Sequence, residues 1–297
     1  MIEKLKKIEP KLKSKFYFDY DMSKSTWFRT GGKAKAFALV DNYKELDIIL
    51  NTIENFPFYV LGAGSNLLVR DNGFNGIIIK LGREFKDIKI YEEYIKVGAS
   101  VLDVNLSNFA KKNKIKDFEF FIGIPGTIGG AIKMNAGCFG SNTSDLLTEI
   151  NVIENGKFNK KIKTKDLNLH YRSSNLLDST IITSARFAIR YGNINEIKEK
   201  ISFIKYERLK KQPIKEKTSG STFKNPLNQF AAKLIEESDC KKLNIGDAAV
   251  SSKHSNFLIN KGNATATNIE DLGKKIIEKV FNKFGIKLEW EIKIIGA

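Results

Sequence analysis

The chain has 297 residues, 42% of them hydrophobic and 28% charged, which supports a full buried core and two or three domains. Its formal charge of +16 points to anionic partners, but the lysines are scattered, with no basic tail or Arg-rich tract, which argues against a nucleic-acid surface. Two cysteines without C-x-x-C spacing and only two histidines speak against a disulfide framework or a metal site. No apolar leader opens the chain and no uncharged run reaches membrane-spanning length, so a soluble, unprocessed cytoplasmic protein is expected.

In chain order, residues 26–40 run from the Gly31-Gly32 turn into the alternating small and apolar positions of a strand, with Trp27 read as core. Asn42 and Glu45 have capping-box spacing ahead of a helix whose Leu46, Ile49, Leu50 and Ile53 share a face and which Pro57 closes. A short strand at 58–61 leads into Gly62-Ala63-Gly64-Ser65-Asn66. The third glycine of a dinucleotide fingerprint is replaced there by Leu67, and strand and turn follow instead of a helix, so the Rossmann assignment fails on context. Two alternatives stay open: a turn that holds a pyrophosphate through backbone amides, or a plain hairpin loop.

Strands are expected at 77–81, 87–91 and 94–99. Ser100 and Asp103 then open a helix with Leu102, Leu106 and Phe109 on one face. Residues 121–140 contain six glycines and one charge, Lys133. Glycine costs chain entropy, so such density marks either a tight buried turn or a run of backbone N–H groups open to a phosphate.

Asn155-Gly156 between residues 150–154 and 157–162 is a strong hairpin signal, and a strand follows at 181–191. Ile197, Ile201, Ile204 and Tyr206 mark a connecting helix over 195–211 that ends before Pro213. The C-terminal part begins with a loop through Ser219-Gly220-Ser221, a helix near 229–237, and a loop and strand through 254–259. A second helix carries the stripe Leu272, Ile276, Ile277, Val280, Phe281 and Phe284 and stops at Gly285. In the last strand Ile286, Leu288, Trp290, Ile292 and Ile294 oppose Lys287, Glu289, Glu291 and Lys293.

Several of these stretches, in register from about residue 23 to Gly296, resemble the UDP-N-acetylenolpyruvoylglucosamine reductase family. They are residues 27–32 (WFRTGG), 61–68 (LGAGSNLL), 123–131 (GIPGTIGGA), 134–137 (MNAG), 171–174 (YRSS), 220–226 (GSTFKNP) and 288–292 (LEWEI). The resemblance implies an α+β protein with a two-lobed FAD-binding domain of the vanillyl-alcohol-oxidase (PCMH) type followed by a C-terminal α+β substrate-binding domain. The expected division is an N-terminal extension (1–22), the FAD domain (23–192), a connecting helix (193–212) and the substrate domain (213–297). The chain is of the shorter type II form, lacking the insertion that places a tyrosine over the substrate. It departs from the family's usual residues at Asp247-Ala248-Ala249.

By the same resemblance, Gly62, Ala63, Gly64, Ser65 and Asn66 hold the FAD pyrophosphate. Gly123, Ile124, Gly126, Thr127, Gly130 and Ala131 run along the cofactor, and Arg29 orders the first loop. Neither His170 nor His254 lies in these loops, so the FAD is expected to be non-covalent. NADPH is the co-substrate and a UDP-sugar the substrate, with no metal, no nucleic acid, no membrane insertion and a monomeric state expected.

The reaction adds hydride and a proton to an enol ether conjugated to a carboxylate, so it needs donors at the carboxylate and an acid at the alkene. The resemblance gives Arg172 the carboxylate, Ser221 the proton and Glu291 an assisting role, with Lys211 and Asn225 contacting the substrate. Taken alone, Arg172 is an exposed arginine beside a strand, Ser221 a loop serine satisfying backbone groups, and Glu291 part of a solvated strand face. The rival functions are an FAD-dependent oxidase of the same superfamily and a basic RNA-binding protein.

Overall fold

The computed structural model describes residues 1–154 and 157–297. The expected turn at Asn155-Gly156 lies outside the described residues, while the strands on either side, Leu147–Glu154 and Lys157–Lys163, pair antiparallel. The chain forms two compact units. The first comprises residues 1–18, 35–63 and 76–207, and the second residues 19–34, 64–75 and 208–297.

In the first unit, helices α1 (Ile2–Ile8) and α2 (Tyr43–Ile53) accompany a four-stranded sheet in the order Lys15–Asp21, Lys33–Val40, Phe74–Leu81, Phe58–Val60. The α2 stripe Leu46, Ile49 and Ile53 is fully buried, as its spacing requires. Asn42 Oδ1 caps the helix by accepting the Glu45 N–H at 2.9 Å. The Glu45 carboxylate does not complete the capping box. It turns to the Lys13 and Ser14 N–H groups and so pins the N-terminal segment.

A five-stranded antiparallel sheet runs Lys157–Lys163, Leu147–Glu154, Ile181–Ala188, Tyr94–Gly98, Ile88–Ile90. The strand expected over 181–191 thus ends at Ala188. Helix α3 (Asp103–Lys112) has Leu102 as its N-cap, so Ser100 and Asp103 form no capping box. The reason is the pairing of residues 101–103 with the glycine-rich stretch: Asp103 N–H donates to Gly126 O at 3.2 Å and Ile128 N–H to Val101 O at 2.9 Å. Ser100 Oγ donates to Leu81 O instead, and Leu102 is exposed where a buried position was expected.

Within the glycine-rich stretch, a 3₁₀ turn (Glu119–Gly123) leads to the short helix α4 (Ile128–Lys133), capped by Thr127. Helix α5 (Ile194–Lys211) buries Ile197, Ile201 and Ile204 beside Ile122. Tyr206 is exposed, contrary to expectation, because two residues after Ile204 the helix has turned by about 200°.

The second unit contains α6 (Ala231–Glu237), α7 (Ala266–Phe284) and the three-stranded sheet Asn244–Ile245, Ala248–Val250, Leu258–Asn260. Leu67–Val69 lies parallel to Lys293–Ile295. α7 buries Ile269, Leu272, Ile276 and Val280, while Phe281 is on the exposed side. Gly285 at φ +68° ends the helix. Gly273 faces the Trp290 ring so closely that a Cβ there would stand 1.9 Å from it, which explains a glycine inside this helix. The long terminal strand expected over 286–294 is confined to Lys293–Ile295, with a single bridge between Phe223 and Trp290 before it. Its alternation survives in burial: Leu288 and Ile292 are buried, Glu289 and Lys293 exposed. Trp27 is 42% exposed, and its neighbour Phe28 supplies the core residue. No described helix is long and apolar enough to cross a membrane.

Asp71 fastens the start of α7. Its carboxylate accepts the Ala266 N–H at 2.9 Å, the Thr267 N–H at 2.8 Å and the Thr267 hydroxyl at 2.6 Å. Burial, the largest single influence, raises its pKa, but the Thr267 and Ala266 hydrogen bonds together bring it below the ordinary 3.8. Asp71→Ala is expected to cost about 1–2 kcal/mol at pH 7, as loss of a strong helix cap does. Since the folded pKa lies below the unfolded one, this stability is present above the unfolded pKa and lost as pH falls through the folded one. Denaturant midpoints of the two proteins should converge in acid. A gap that stayed constant down to pH 2 would contradict the charged-cap account.

Candidate active site

In the first unit the two glycine loops touch. A Cβ on Gly62 would stand 2.6 Å from Thr127 Oγ1, so a side chain at residue 62 would displace the cap of α4. Gly62, Ala63, Gly126 and Thr127 lie outside the regular ladders, and among the described residues their backbone N–H groups donate no hydrogen bond. Thr127 is buried and the other three are half-buried. Backbone N–H groups left outside the ladders in this way can donate to a bound anion.

The position of Gly126 has a second cause. A Cβ there would meet Asp103 Oδ2 at 2.7 Å, and Gly126 φ is not in the left-handed region. Asp103 is 0% exposed and neither carboxyl oxygen has a hydrogen-bond partner among the described residues. Burial raises its pKa well above the ordinary 3.8, which favours the neutral form of the side chain behind the loop.

Arg172 sits at the tip of a tight hairpin closed by reciprocal His170–Ser173 backbone bonds of 3.2 Å each. It adopts φ +54°, Nη2 donates to Gly137 O at 3.0 Å, and its guanidinium lies 4.9 Å from the Tyr171 ring centroid. The hairpin is tied to the end of the glycine stretch. Asn135 Nδ2 donates to His170 O at 3.1 Å and Ser174 Oγ to Lys133 O at 2.8 Å. A half-buried arginine with one face of its fork anchored this way is far from the free surface side chain that sequence alone suggests.

In the second unit, Ser221, Glu291 and Asn66 come together through backbone pairing. Residues 221–223 are bridged on one side to Phe257 and on the other to Trp290. Glu291 N–H donates to Thr222 O at 2.8 Å, and Lys224 N–H to Glu289 O at 2.9 Å. Asn66 Nδ2 donates to the Glu291 carbonyl at 3.1 Å, and Asn66 O accepts the Lys293 N–H at 3.0 Å. Ser221 is half-buried and follows Gly220, whose φ of +81° calls for glycine. The two glutamates of the last strand part company here: Glu289 is exposed and paired with Lys224 at 3.2 Å, whereas Glu291 is half-buried.

The remaining expected residues are more dispersed. Gly64 is buried at φ +70°, with Ser25 O where its Cβ would be, and its carbonyl accepts the Trp27 N–H. Ser65 is half-buried. Arg29 Nη1 donates to Lys24 O at 3.3 Å on the surface. Asn225 Oδ1 accepts the Ala231 N–H and so caps α6. Lys211 is exposed in the last turn of α5. Gly123 and Ile124 close the 3₁₀ turn, and Gly130 and Ala131 lie in α4. Asn135 and Asn256, which orient the Arg172 hairpin and the Ser221 segment, were given no role by sequence reasoning. Buried asparagines with both amide ends engaged carry no signal in spacing.

Two contacting loops of unpaired N–H groups, uninterrupted by acidic side chains, fit the pyrophosphate of FAD. Residues 34–157 match the FAD binding domain family, and residues 212–295 match the UDP-N-acetylenolpyruvoylglucosamine reductase C-terminal domain family. Fold and loops thus define an FAD-binding protein of α+β architecture. The chain is 40% identical over 295 residues to the UDP-N-acetylenolpyruvoylglucosamine reductase of Rickettsia massiliae, covering 97% of this chain and 98% of the relative. It is 39% identical to that of Rickettsia prowazekii, again covering 97% and 98%. The crystal structure of the UDP-N-acetylenolpyruvylglucosamine reductase from Thermus caldophilus superposes with a TM-score of 0.83 at 32% identity, covering 96% of this chain and 99% of that one. The chain belongs to the UDP-N-acetylenolpyruvoylglucosamine reductase family. Among the described residues no group of three or more His, Cys, Asp or Glu could hold a metal ion.

Gly126→Val is expected to lose FAD and to unfold at lower denaturant as well, because the first side-chain atom already meets the buried Asp103 carboxyl. Flavin content and unfolding midpoint measured on the same preparation check this. FAD lost at an unchanged midpoint would remove Asp103 from the explanation.

Proposed function

We infer that the chain catalyses the reaction for which its family is named, the NADPH-dependent, FAD-mediated reduction of UDP-N-acetyl-3-O-(1-carboxyvinyl)glucosamine to UDP-N-acetylmuramate in peptidoglycan precursor synthesis. The observation that supports it most is the Glu291 N–H bond to Thr222 O, which puts the proposed proton donor Ser221 and the proposed assisting residue Glu291 on neighbouring, hydrogen-bonded segments. Bound FAD supplies the two-electron relay between NADPH and the substrate's double bond.

The protein's residues act on binding and on charge. The N–H groups of Gly62, Ala63, Gly126 and Thr127, together with the segment 64–66, would hold the pyrophosphate as a nest of donors. Arg172 would grip the substrate carboxylate, where negative charge grows as the double bond is saturated. Its anchored fork is preorganised for that charge, which is where electrostatic catalysis has its effect. Ser221 would deliver a proton to the carbon beside that carboxylate, and Glu291 would support the transfer. Lys211 and Asn225 would contact the nucleotide-sugar. The FAD domain is proposed over 23–192 and the substrate domain over 213–297. All three ligands are anions, and a protein of charge +16 speeds their encounter.

The half-reactions separate the roles. Reduction of the flavin by NADPH requires no proton on a substrate carbon, whereas saturation of the enol ether requires both hydride and proton. Ser221→Ala should leave anaerobic flavin bleaching by NADPH nearly unchanged and slow reoxidation by the enolpyruvyl sugar by about 10²- to 10⁴-fold, the range for a lost general acid. Stopped-flow absorbance on each step reads this directly. Equal losses in both steps would move Ser221 from proton transfer to cofactor binding or folding.

A further inference from the structure

The segment that carries Ser221 is held from behind by one side chain to which nothing above gives a chemical role. Asn256 is 3% exposed. Its Oδ1 accepts the Phe223 N–H at 3.0 Å and its Nδ2 donates to Phe223 O at 2.8 Å, so the carboxamide pairs with both polar groups of residue 223 as a neighbouring strand would. Its own carbonyl accepts the Thr222 N–H at 2.8 Å. Two residues on, the Leu258 N–H donates to Thr222 Oγ1 at 3.2 Å. Thr222 O accepts the Glu291 N–H, so the segment bearing Glu291 is tied to the same residue.

Residues 221–223 form no continuous ladder, only isolated bridges to Phe257 and Trp290. A short segment of this kind keeps its register through individual bonds. The Asn256 carboxamide supplies two of them at the residue where a ladder on that side would otherwise continue. Asparagine fits because it alone of the common short side chains presents a donor and an acceptor side by side. Gly220 at φ +81° turns the chain just before Ser221, and the residues ahead of it are held separately, Thr218 Oγ1 donating to Leu258 O at 2.6 Å, so Asn256 acts on the hydroxyl from the Thr222–Phe223 side.

We propose that Asn256 is a positioning residue for proton delivery: by pairing with both backbone groups of Phe223 it fixes the rotation of the Ser221–Thr222 segment and thereby aims the Ser221 hydroxyl at the substrate. This rests on the assignment of Ser221 as proton donor. Asn256 touches neither substrate nor cofactor in this role. Its loss should therefore act on the step that uses the Ser221 proton and spare the other.

The test compares Asn256→Ala, Ser221→Ala and the double variant in the FAD-loaded enzyme, with both half-reactions followed anaerobically. Asn256→Ala should leave reduction by NADPH and flavin content within about twofold of the parent and slow reoxidation by the enolpyruvyl sugar by about 10²-fold, the scale of an ångström-level misplacement. In the Ser221→Ala background, where there is no hydroxyl to aim, the same substitution should change reoxidation by less than about twofold, the non-additivity expected of residues acting as a unit. Asn256→Asp provides a conservative rescue. A carboxyl at this buried position is driven toward its neutral form, which again offers one donor and one acceptor, so reoxidation should recover most of the parent rate. This variant also serves if the alanine protein fails to fold.

Equal slowing of both half-reactions, or loss of FAD, would reduce Asn256 to a structural residue and overturn the proposal. Losses that add in full in the double variant would show that it acts independently of Ser221, with the same consequence. A slow Ser221→Ala beside an unimpaired Asn256→Ala contradicts the positioning alone. An unimpaired Ser221→Ala contradicts the proton-donor assignment, and the positioning falls with it.

Discussion

A backbone N–H or C=O removed from water has to find a partner, and the way this chain meets that constraint separates its scaffold from its ligand site. At Thr222 every polar group is taken by protein: the N–H by Asn256, the carbonyl by Glu291 and the hydroxyl by Leu258. At Gly62, Ala63, Gly126 and Thr127 the N–H groups of two contacting loops find no acceptor among the described residues. The first arrangement makes a rigid support for the neighbouring Ser221 and Glu291, the side chains we propose to react. The second is the set of donors we propose for the pyrophosphate of FAD.

Rigidity of the supports has a conformational cost. Arg172 lies in the left-handed region, unfavourable for a residue with a β-carbon by about 1–2 kcal/mol. It is kept there by the His170–Ser173 closure, by Asn135 and Ser174 tying the hairpin to residues 133–137, and by Gly137 O receiving the guanidinium. The same few residues at the end of the glycine-rich stretch therefore determine where the positive charge stands. An oriented charge that need not reorganise during the reaction is worth more to a developing carboxylate dianion than a mobile one.

Much of the fold was legible where periodicity decides. The α2 and α7 stripes are buried almost as spaced, and the alternation over 286–294 survives as burial even where the strand itself shrinks to Lys293–Ile295. What failed were local rules overridden by tertiary pairing. Ser100 could not cap α3 because the residues after it pair with Gly126 and Ile128, and Glu45 left its capping box to hold the N-terminus. Trp27, expected in the core, is exposed while its neighbour Phe28 is buried, since hydrophobicity does not say which of two adjacent aromatics faces inward. That residues 19–34 and 64–75 belong with 208–297 is a long-range fact with no trace in local pattern. The site motifs were readable as a set through their resemblance to a family. The separation of Glu291 from Glu289, and the supports Asn135 and Asn256, needed coordinates, because each depends on a partner remote in sequence.

We propose that these loops hold dissociable FAD for reduction of an enolpyruvyl UDP-sugar, and a single anaerobic spectroscopic titration decides it. Purified protein should show flavin absorbance that NADPH bleaches and that stoichiometric enolpyruvyl-UDP-N-acetylglucosamine restores without oxygen. UDP-N-acetylmuramate should form in equal amount, and free FAD should be released when the chain is denatured. Flavin that air reoxidises rapidly while the enolpyruvyl sugar does not would make the protein an oxidase and contradict the account.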